Sequence, residues 1–263
     1  MNVPEPTPFF PTDRVAILAH RGLAVAAPEN SIAAFRAALE AGVDVIESDV
    51  RATRDDVAVF AHDETFERVF GNPALVSDLT FAEVSSLAAD AGWPVDHGVV
   101  SVAHALRVLP HARFNIDVKE PRVVAPLAHA IAESDATTRV LVTSFSGARR
   151  RRAVTKIEEA TGVRVLSSGS ADIVAATVIA CFFGAPWLAR RLRRGVSILQ
   201  IPVRVLGIRT DSRRMVRRFH RAGFTVQFWT INEEADARRI VAAGADGLVS
   251  DRSDVLVRLF RTS

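Results

Sequence analysis

Apolar residues recur along this chain in short runs, each closed by polar or charged residues. Between the runs stand longer stretches with the three- and four-residue spacing of amphipathic helices. The runs Val15–Ala19, Val43–Ile46, Val57–Ala61, Phe114–Ile116, Val140–Ser144, Val163–Ser167, Ser197–Ile201, Phe224–Trp229 and Gly247–Ser250 predict strands. The helical spacing falls on 31–41, 123–133, 146–160, 171–193, 213–222 and 233–243. Asn30 or Ser31 would cap the first helix and Gly42 would end it, with Gly223 and Gly244 ending two later ones. Strand–helix alternation over about 250 residues predicts a parallel sheet, most commonly a closed TIM-type (β/α)8 barrel at this length. The runs number one more than a barrel's eight positions. The link from Glu47-Ser48-Asp49 to Val57 is too short for a crossover helix. One strand is therefore expected to be an accessory.

Between His62 and Phe114 the pattern loosens into turn signals, Gly71-Asn72-Pro73, Asp90-Ala91-Gly92-Trp93-Pro94 and Asp96-His97-Gly98. This stretch, about 64–112, reads as a small insertion after the third strand, lying over the barrel mouth. No internal repeat or low-complexity linker divides the chain. A single barrel domain is expected over 15–257, with an N-terminal extension (1–14) and a C-terminal tail (258–263).

Composition changes the picture in three places. Of the 33 basic residues, Lys119 and Lys156 are the lysines and the rest are arginine, while the net charge is only +3. No aromatic stripe or recognition motif accompanies the arginines, so a nucleic-acid partner is not expected. Cys181 stands alone in an apolar run and reads as a buried, inert thiol. Residues 1–12 carry four prolines and no apolar core behind basic residues, which does not describe a secretory signal and leaves a cytoplasmic location as the expectation. The uncharged stretch Ile173–Ala189, followed by Arg190-Arg191-Leu192-Arg193-Arg194, is short for a span and interrupted by Gly184 and Pro186. A buried or surface-docking helix is the favoured reading, with peripheral membrane contact through 173–194 as its functional form.

Charged residues collect where strands end: His20-Arg21, Glu47-Ser48-Asp49, His62-Asp63 and Asp117-Val118-Lys119. Residues i and i+2 of a strand share a face, so Glu47 points with Asp49 and Asp117 with Lys119. Three carboxylates meeting at one rim would repel strongly unless a cation neutralised them. Oxygen-only ligands favour a hard ion, Mg²⁺ or Ca²⁺, over zinc. His20 and His62 both close apolar strands and are the candidate proton carriers, one as base and one as acid. Arg21 and Lys119 add the positive charge that a phosphate requires. Lys119 is a lysine in a chain that otherwise prefers arginine, which suits a site needing a compact ammonium. The remaining histidines, His97, His104, His111, His129 and His220, lie in loop or helix patterns.

These residues resemble the glycerophosphodiester phosphodiesterase family. The family shows His-Arg-Gly, Pro-Glu-Asn-Thr, Glu-x-Asp, Thr-x-Asp-Gly and His-Asp. Here they stand as His20-Arg21-Gly22, Pro28-Glu29-Asn30-Ser31, Glu47-Ser48-Asp49, Thr53-Arg54-Asp55-Asp56 and His62-Asp63. Toward the C-terminus its Trp-Thr-x-Asn and Gly-x-Asp-Gly-x-x-Thr-Asp match Trp229-Thr230-Ile231-Asn232 and Gly244-Ala245-Asp246-Gly247-Leu248-Val249-Ser250-Asp251. The resemblance spans about Val15 to Val257. It implies a TIM-type barrel that hydrolyses glycerophosphodiesters to glycerol 3-phosphate and an alcohol. It also implies one divalent cation, Mg²⁺ or Ca²⁺ with Mn²⁺ as a further candidate. By the same resemblance His20 and His62 are the acid–base pair, Glu47 and Asp49 bind metal, and Arg21 contacts phosphate. Asp117 replaces the usual Glu of Ile-Glu-x-Lys and joins the metal set with a side chain shorter by one methylene. Trp229, at a strand end, is placed as a wall for the glycerol or alcohol moiety. The small-molecule substrate has a lipid-directed alternative, a lysophospholipase D or sphingomyelinase-D-like activity on the same barrel. A catalytically silent barrel holding a polyanion through Arg149–Arg152 and Arg190–Arg194 is the other alternative. The oligomeric state is unassigned.

Overall fold

The first barrel strand, β1 (Ala16–His20), is followed by α1 (Ile32–Ala41), β2 (Val45–Ala52) and β3 (Ala58–Phe60) in a computed structural model that describes residues 9–261. Residues 1–8 of the N-terminal extension and 262–263 of the tail lie outside the described residues. The chain continues through α2 (Phe81–Asp90), α3 (Val102–Val108), β4 (Phe114–Val118), α4 (Val124–Glu133) and β5 (Val140–Thr143). After these come α5 (Gly147–Thr161), β6 (Leu166–Ser167), α6 (Ala171–Phe182), α7 (Pro186–Leu192) and β7 (Ile198–Ile201). The remaining elements are α8 (Arg213–Arg221), β8 (Thr225–Phe228), α9 (Glu234–Ala242), β9 (Gly247–Ser250) and α10 (Ser253–Arg261).

Eight parallel strands run in the order β6-β5-β4-β2-β1-β9-β8-β7. A parallel bridge from Ser168 to Ile198 brings β6 round to β7, giving a nearly closed (β/α)8 barrel. The surplus strand is β3. It folds back antiparallel on β2, pairing Val50 with Phe60, as the short link requires.

Alternation along the strands separates two apolar bodies. Inward-facing Ala16, Leu18, Val45, Leu141, Ile198 and Val249 fill the barrel, and Phe9 of the N-terminal extension joins them. Outward-facing Ile46, Val50, Ile116, Val118, Val140 and Val142 pack under the helices with Phe35, Leu127 and Ile131. The same inward phase continues past the apolar layer into His20, Glu47, Asp49 and Asp117. Position on the strand therefore decides whether an inward residue is core or rim.

Several elements differ from the sequence reading. The stretch 171–193 is two helices, because Gly184 takes a left-handed φ of +80° and Pro186 opens α7. No helix among the described residues is long and apolar enough to cross a membrane. The strand expected over 163–167 shortens to Leu166–Ser167. Ser31 is the cap of α1, its hydroxyl accepting from Ala34 N at 3.1 Å.

No residue of the stretch 64–112 lines the cavity at the C-terminal ends of the strands. The stretch holds a short hairpin (Thr65–Phe66 with Asn72–Leu75) and α2, which opens on a Thr80/Glu83 capping box. Phe66, Val76, Val84 and Leu87 pack there against Val59 of β3 and the adjoining Ala61. It also contains α3, capped by Ser101, which packs Val102, Ala105 and Leu106 inward and is the crossover helix into β4. Residues 258–261 of the tail belong to α10: Arg261 donates to Val15 O and to Asp44, which also accepts from Ile17 N.

Candidate active site

Register builds the site. His20 lies beside Glu47 across β1–β2, and Asp49 beside Asp117 across β2–β4. Neighbouring strands are about 4.8 Å apart, so these side chains share one rim. They open into a cavity of about 550 Å³ at the C-terminal ends of the strands, which is where barrel active sites sit. His20, Arg21, Glu47, Asp49, His62, Asp117, Lys119 and Trp229 all line it.

Each imidazole is held by a carboxylate. His20 Nδ1 is 2.6 Å from Asp251 Oδ1, and Asn232 Nδ2 donates to Asp251 Oδ2 at 2.7 Å. The hydrogen bond from His20, followed by that from Asn232, holds the Asp251 carboxyl below its ordinary range, so it stays ionised. An ionised carboxylate only accepts, which makes Nδ1 the protonated nitrogen and turns Nε2 toward Glu47, 3.9 Å away. His62 repeats the arrangement, with Nδ1 2.7 Å from Asp63 Oδ1 and Arg68 Nε donating to Asp63 Oδ2 at 2.7 Å. Burial pulls Asp63 upward, but the bonds from His62 and Arg68 outweigh it and its pKa is lowered.

Arg68 also grips Glu29 with two bonds of 2.7 and 2.8 Å, and Glu29 accepts from Arg21 at 3.1 Å. Arg21 Nε lies 3.3 Å from Asp49 Oδ2, so a continuous chain of charges links His62 to the carboxylates of β2. Arg21 follows β1 with a left-handed φ of +58°, and Gly22 follows at +82°. A Cβ on Gly22 would stand 2.9 Å from the backbone of Ala34, so this turn tolerates no side chain there.

Lys119 Nζ bridges Asp49 Oδ1 at 2.7 Å and Asp117 Oδ2 at 2.8 Å. Burial pulls the ammonium down, but the two carboxylates outweigh it and raise its pKa. Glu47 is pushed well above the usual carboxylate range by burial and then by the charges of Asp49 and Asp117. Burial raises Asp117 as well, against the opposing pull of Lys119. Glu47 Oε2, Asp49 Oδ2 and Asp117 Oδ1 are buried and accept no hydrogen bond. Three orphaned carboxylate oxygens clustered at one rim describe a donor set suited to a hard divalent cation. As they stand, no three His, Cys, Asp or Glu side chains among the described residues converge at ligating distance.

Trp229 stands at the rim after β8, edge-on to Phe145 at 6.0 Å, and Lys119 Nζ lies 5.9 Å over the Phe145 ring. All the site residues read from sequence are thus brought to one cavity. Sequence reasoning missed the partners that hold them: Asp251, Asn232, Asp63, Arg68 and Glu29. Within the run Arg149–Arg152, Arg149 donates to Ser144 and buried Arg150 to Ser167, so two of its four guanidinium groups are engaged inside the fold.

A (β/α)8 barrel with paired imidazoles and a carboxylate cluster at its C-terminal rim is equipped for acid–base chemistry. Residues 20–255 match the model of the glycerophosphoryl diester phosphodiesterase family. A probable glycerophosphodiester phosphodiesterase 2 of Mycobacterium tuberculosis is 35% identical over 240 residues, covering 91% of this chain and 88% of that protein. A glycerophosphodiester phosphodiesterase of Caldanaerobacter subterraneus is 26% identical, covering 94% and 98%. Among solved structures, a phosphodiesterase of Oleispira antarctica in complex with the product sn-glycerol-3-phosphate superposes with a TM-score of 0.70 at 20% identity, covering 92% of this chain and 95% of that one. The chain belongs to the glycerophosphoryl diester phosphodiesterase family, whose members are phosphoric diester hydrolases.

Proposed function

We propose that this protein hydrolyses glycerophosphodiesters to glycerol 3-phosphate and an alcohol, with His20 and His62 as its acid–base pair. The observation that carries this reading is the pair of imidazoles. Each is locked through Nδ1 by an ionised carboxylate, and both line the cavity that holds Glu47, Asp49 and Asp117. One Nε2 takes the proton of the attacking water or glycerol 2-hydroxyl, and the other, protonated, gives its proton to the leaving alcohol. Arg21 and Lys119 neutralise phosphate charge, and Trp229 walls the glycerol side. The relative holding sn-glycerol-3-phosphate supports that product class.

Glu47, Asp49 and Asp117 would hold one divalent cation, Mg²⁺ or Ca²⁺ with Mn²⁺ as a further candidate. When bound, it would supply Lewis-acid stabilisation of phosphate charge. The test is ³¹P NMR of glycerophosphocholine and glycerophosphoethanolamine with purified protein, in each metal and in EDTA, beside Glu47→Ala. Release of glycerol 3-phosphate that chelation and the substitution both abolish supports the reading. Turnover undiminished in EDTA removes the cation from it.

A second reading rests on the cavity's other wall. Phe145, Val174, Ala175, Val205 and Leu206 line it, and Leu206 is 69% exposed at the tip of the hairpin after β7. An acyl-bearing diester would cover this wall as glycerophosphocholine cannot. Lysophosphatidylcholine turned over with a higher kcat/KM than glycerophosphocholine would favour a lysophospholipase D activity.

A further inference from the structure

The far end of α6 carries a group of large apolar side chains on the surface. Ile179, Phe182 and Phe183 are exposed at its last turn, the two Phe rings edge-on at 5.3 Å. Beyond Gly184, Trp187 and Leu188 of α7 are exposed too, and Phe183 and Trp187 keep 79% and 62% of their surface in solvent. Isolated apolar residues on a surface need no explanation, but five within ten consecutive positions form a patch.

Arginines border this patch. Helix α8 buries Met215, Val216 and Phe219 and turns its arginines outward. Arg214, Arg217, Arg218 and Arg221 line one concavity of about 260 Å³. Arg218 Nη1 donates to the carbonyls of Cys181 and Phe182 at 2.7 and 3.0 Å, so the concavity adjoins the aromatic tip. Arg191 lies 5.8 Å over the Trp187 ring. Several arginines elsewhere are matched to acids, as Arg51 is to Glu120 and Arg68 to Glu29. Arg190, Arg213, Arg214, Arg217 and Arg221 have no acidic partner among the described residues. Their charge is left for something outside the fold.

We propose that this face docks on an anionic lipid bilayer. Aromatic rings flanked by aliphatic Ile179 and Leu188 suit the acyl boundary, and unpaired guanidinium groups suit lipid phosphates. A nucleic-acid strand would use the arginines and rings but leave the aliphatic side chains unmatched. The orientation follows from α6. Its first turn lines the catalytic cavity through Ala171 and Val174, and the rise of about 1.5 Å per residue places Phe182 about 16 Å from Ala171, toward the opposite end of the barrel. Docked by this face, the protein keeps the cavity mouth in water.

The experiment is co-sedimentation with phosphatidylglycerol/phosphatidylcholine vesicles and with pure phosphatidylcholine vesicles, at low and high salt. Retention on the anionic vesicles is expected, weaker by tenfold or more on neutral ones and reduced by salt. An arginine near an anionic leaflet adds roughly fivefold to partitioning, so Arg214→Gln, Arg217→Gln and Arg221→Gln together should weaken it about a hundredfold. Phe183→Ser should weaken what binding salt leaves. Brominated acyl chains should quench tryptophan emission, and Trp187→Phe should abolish that quenching. No retention on anionic vesicles at low salt overturns the proposal, as does undiminished binding by the triple variant. Tighter binding to an oligonucleotide than to vesicles overturns it in favour of nucleic acid. Quenching that survives Trp187→Phe overturns the orientation by placing Trp93 or Trp229 on the lipid.

Discussion

Replacing Lys119 with methionine keeps the length of the side chain and removes its charge. The ammonium makes ion pairs of 2.7 and 2.8 Å with Asp49 and Asp117, whose side chains are only 4% and 6% exposed. Breaking a buried pair by removing one partner costs about 3–5 kcal/mol, because the stranded charge keeps its desolvation penalty. Two carboxylates are stranded here, and Arg21 still faces Asp49 at 3.3 Å. We expect a loss of about 3 kcal/mol at pH 8 without divalent ions. The sign with pH follows from burial, which already raises Asp117 and raises Glu47 further. Without Lys119 the folded carboxyls hold protons that unfolded ones have released. Falling pH therefore relieves the penalty, and the variant recovers toward the wild type as the raised carboxyls protonate. Urea unfolding followed by circular dichroism in EDTA, at pH 8 and 5.5, measures both effects. A loss below about 1 kcal/mol at pH 8, or one that grows on acidification, would refute the assignment of Lys119 as the counter-charge of this cluster.

Three further outcomes follow from the same geometry. His62→Ala should lower turnover by about two to four orders of magnitude without moving the urea midpoint; a variant with near-normal turnover removes His62 from the chemistry. Asp251→Asn should cost kcat a comparable factor at unchanged fold, because an amide no longer enforces the Nδ1–H tautomer of His20; unchanged kcat would show that Asp251 does not set that ring. Burial pushes the Cys181 thiol up from the usual 9.0 to about 11, so iodoacetamide should label it at pH 8 only after unfolding. The folded thiol keeps a proton that the unfolded one releases, so its contribution to stability is present below pH 9.0 and lost as pH rises toward about 11. Rapid labelling of the native protein would contradict the burial of Cys181.

The barrel was legible because its strands alternate cleanly and end in chemistry. His20, Glu47, Asp49, Asp117 and Lys119 continue the inward phase of Leu18, Val45 and their neighbours. The surplus strand could be counted from sequence but not placed, since antiparallel pairing of β3 on β2 depends on the partner. Helix α3 hid behind turn residues, although Ser101 and the spacing of Val102, Ala105 and Leu106 carry a capped helix. Asp251 and Asn232 stand in motifs visible in the sequence, but no local pattern gives either a role. Their role exists only where β9 and the loop after β8 meet His20, 231 positions from Asp251. Arg68 and Glu29 are likewise 39 positions apart, and no local pattern pairs them. The break between α6 and α7 was visible in Gly184 and Pro186, but the apolar run around them argued for continuity.

The measurement that bears most directly on the central claim is ³¹P NMR of glycerophosphocholine incubated with wild-type protein, His20→Ala and His62→Ala under one set of ionic conditions. The account predicts conversion to glycerol 3-phosphate by the wild type, with each histidine variant slowed by at least a hundredfold at unchanged circular dichroism. Wild-type conversion that survives in both variants would contradict an acid–base pair at this rim.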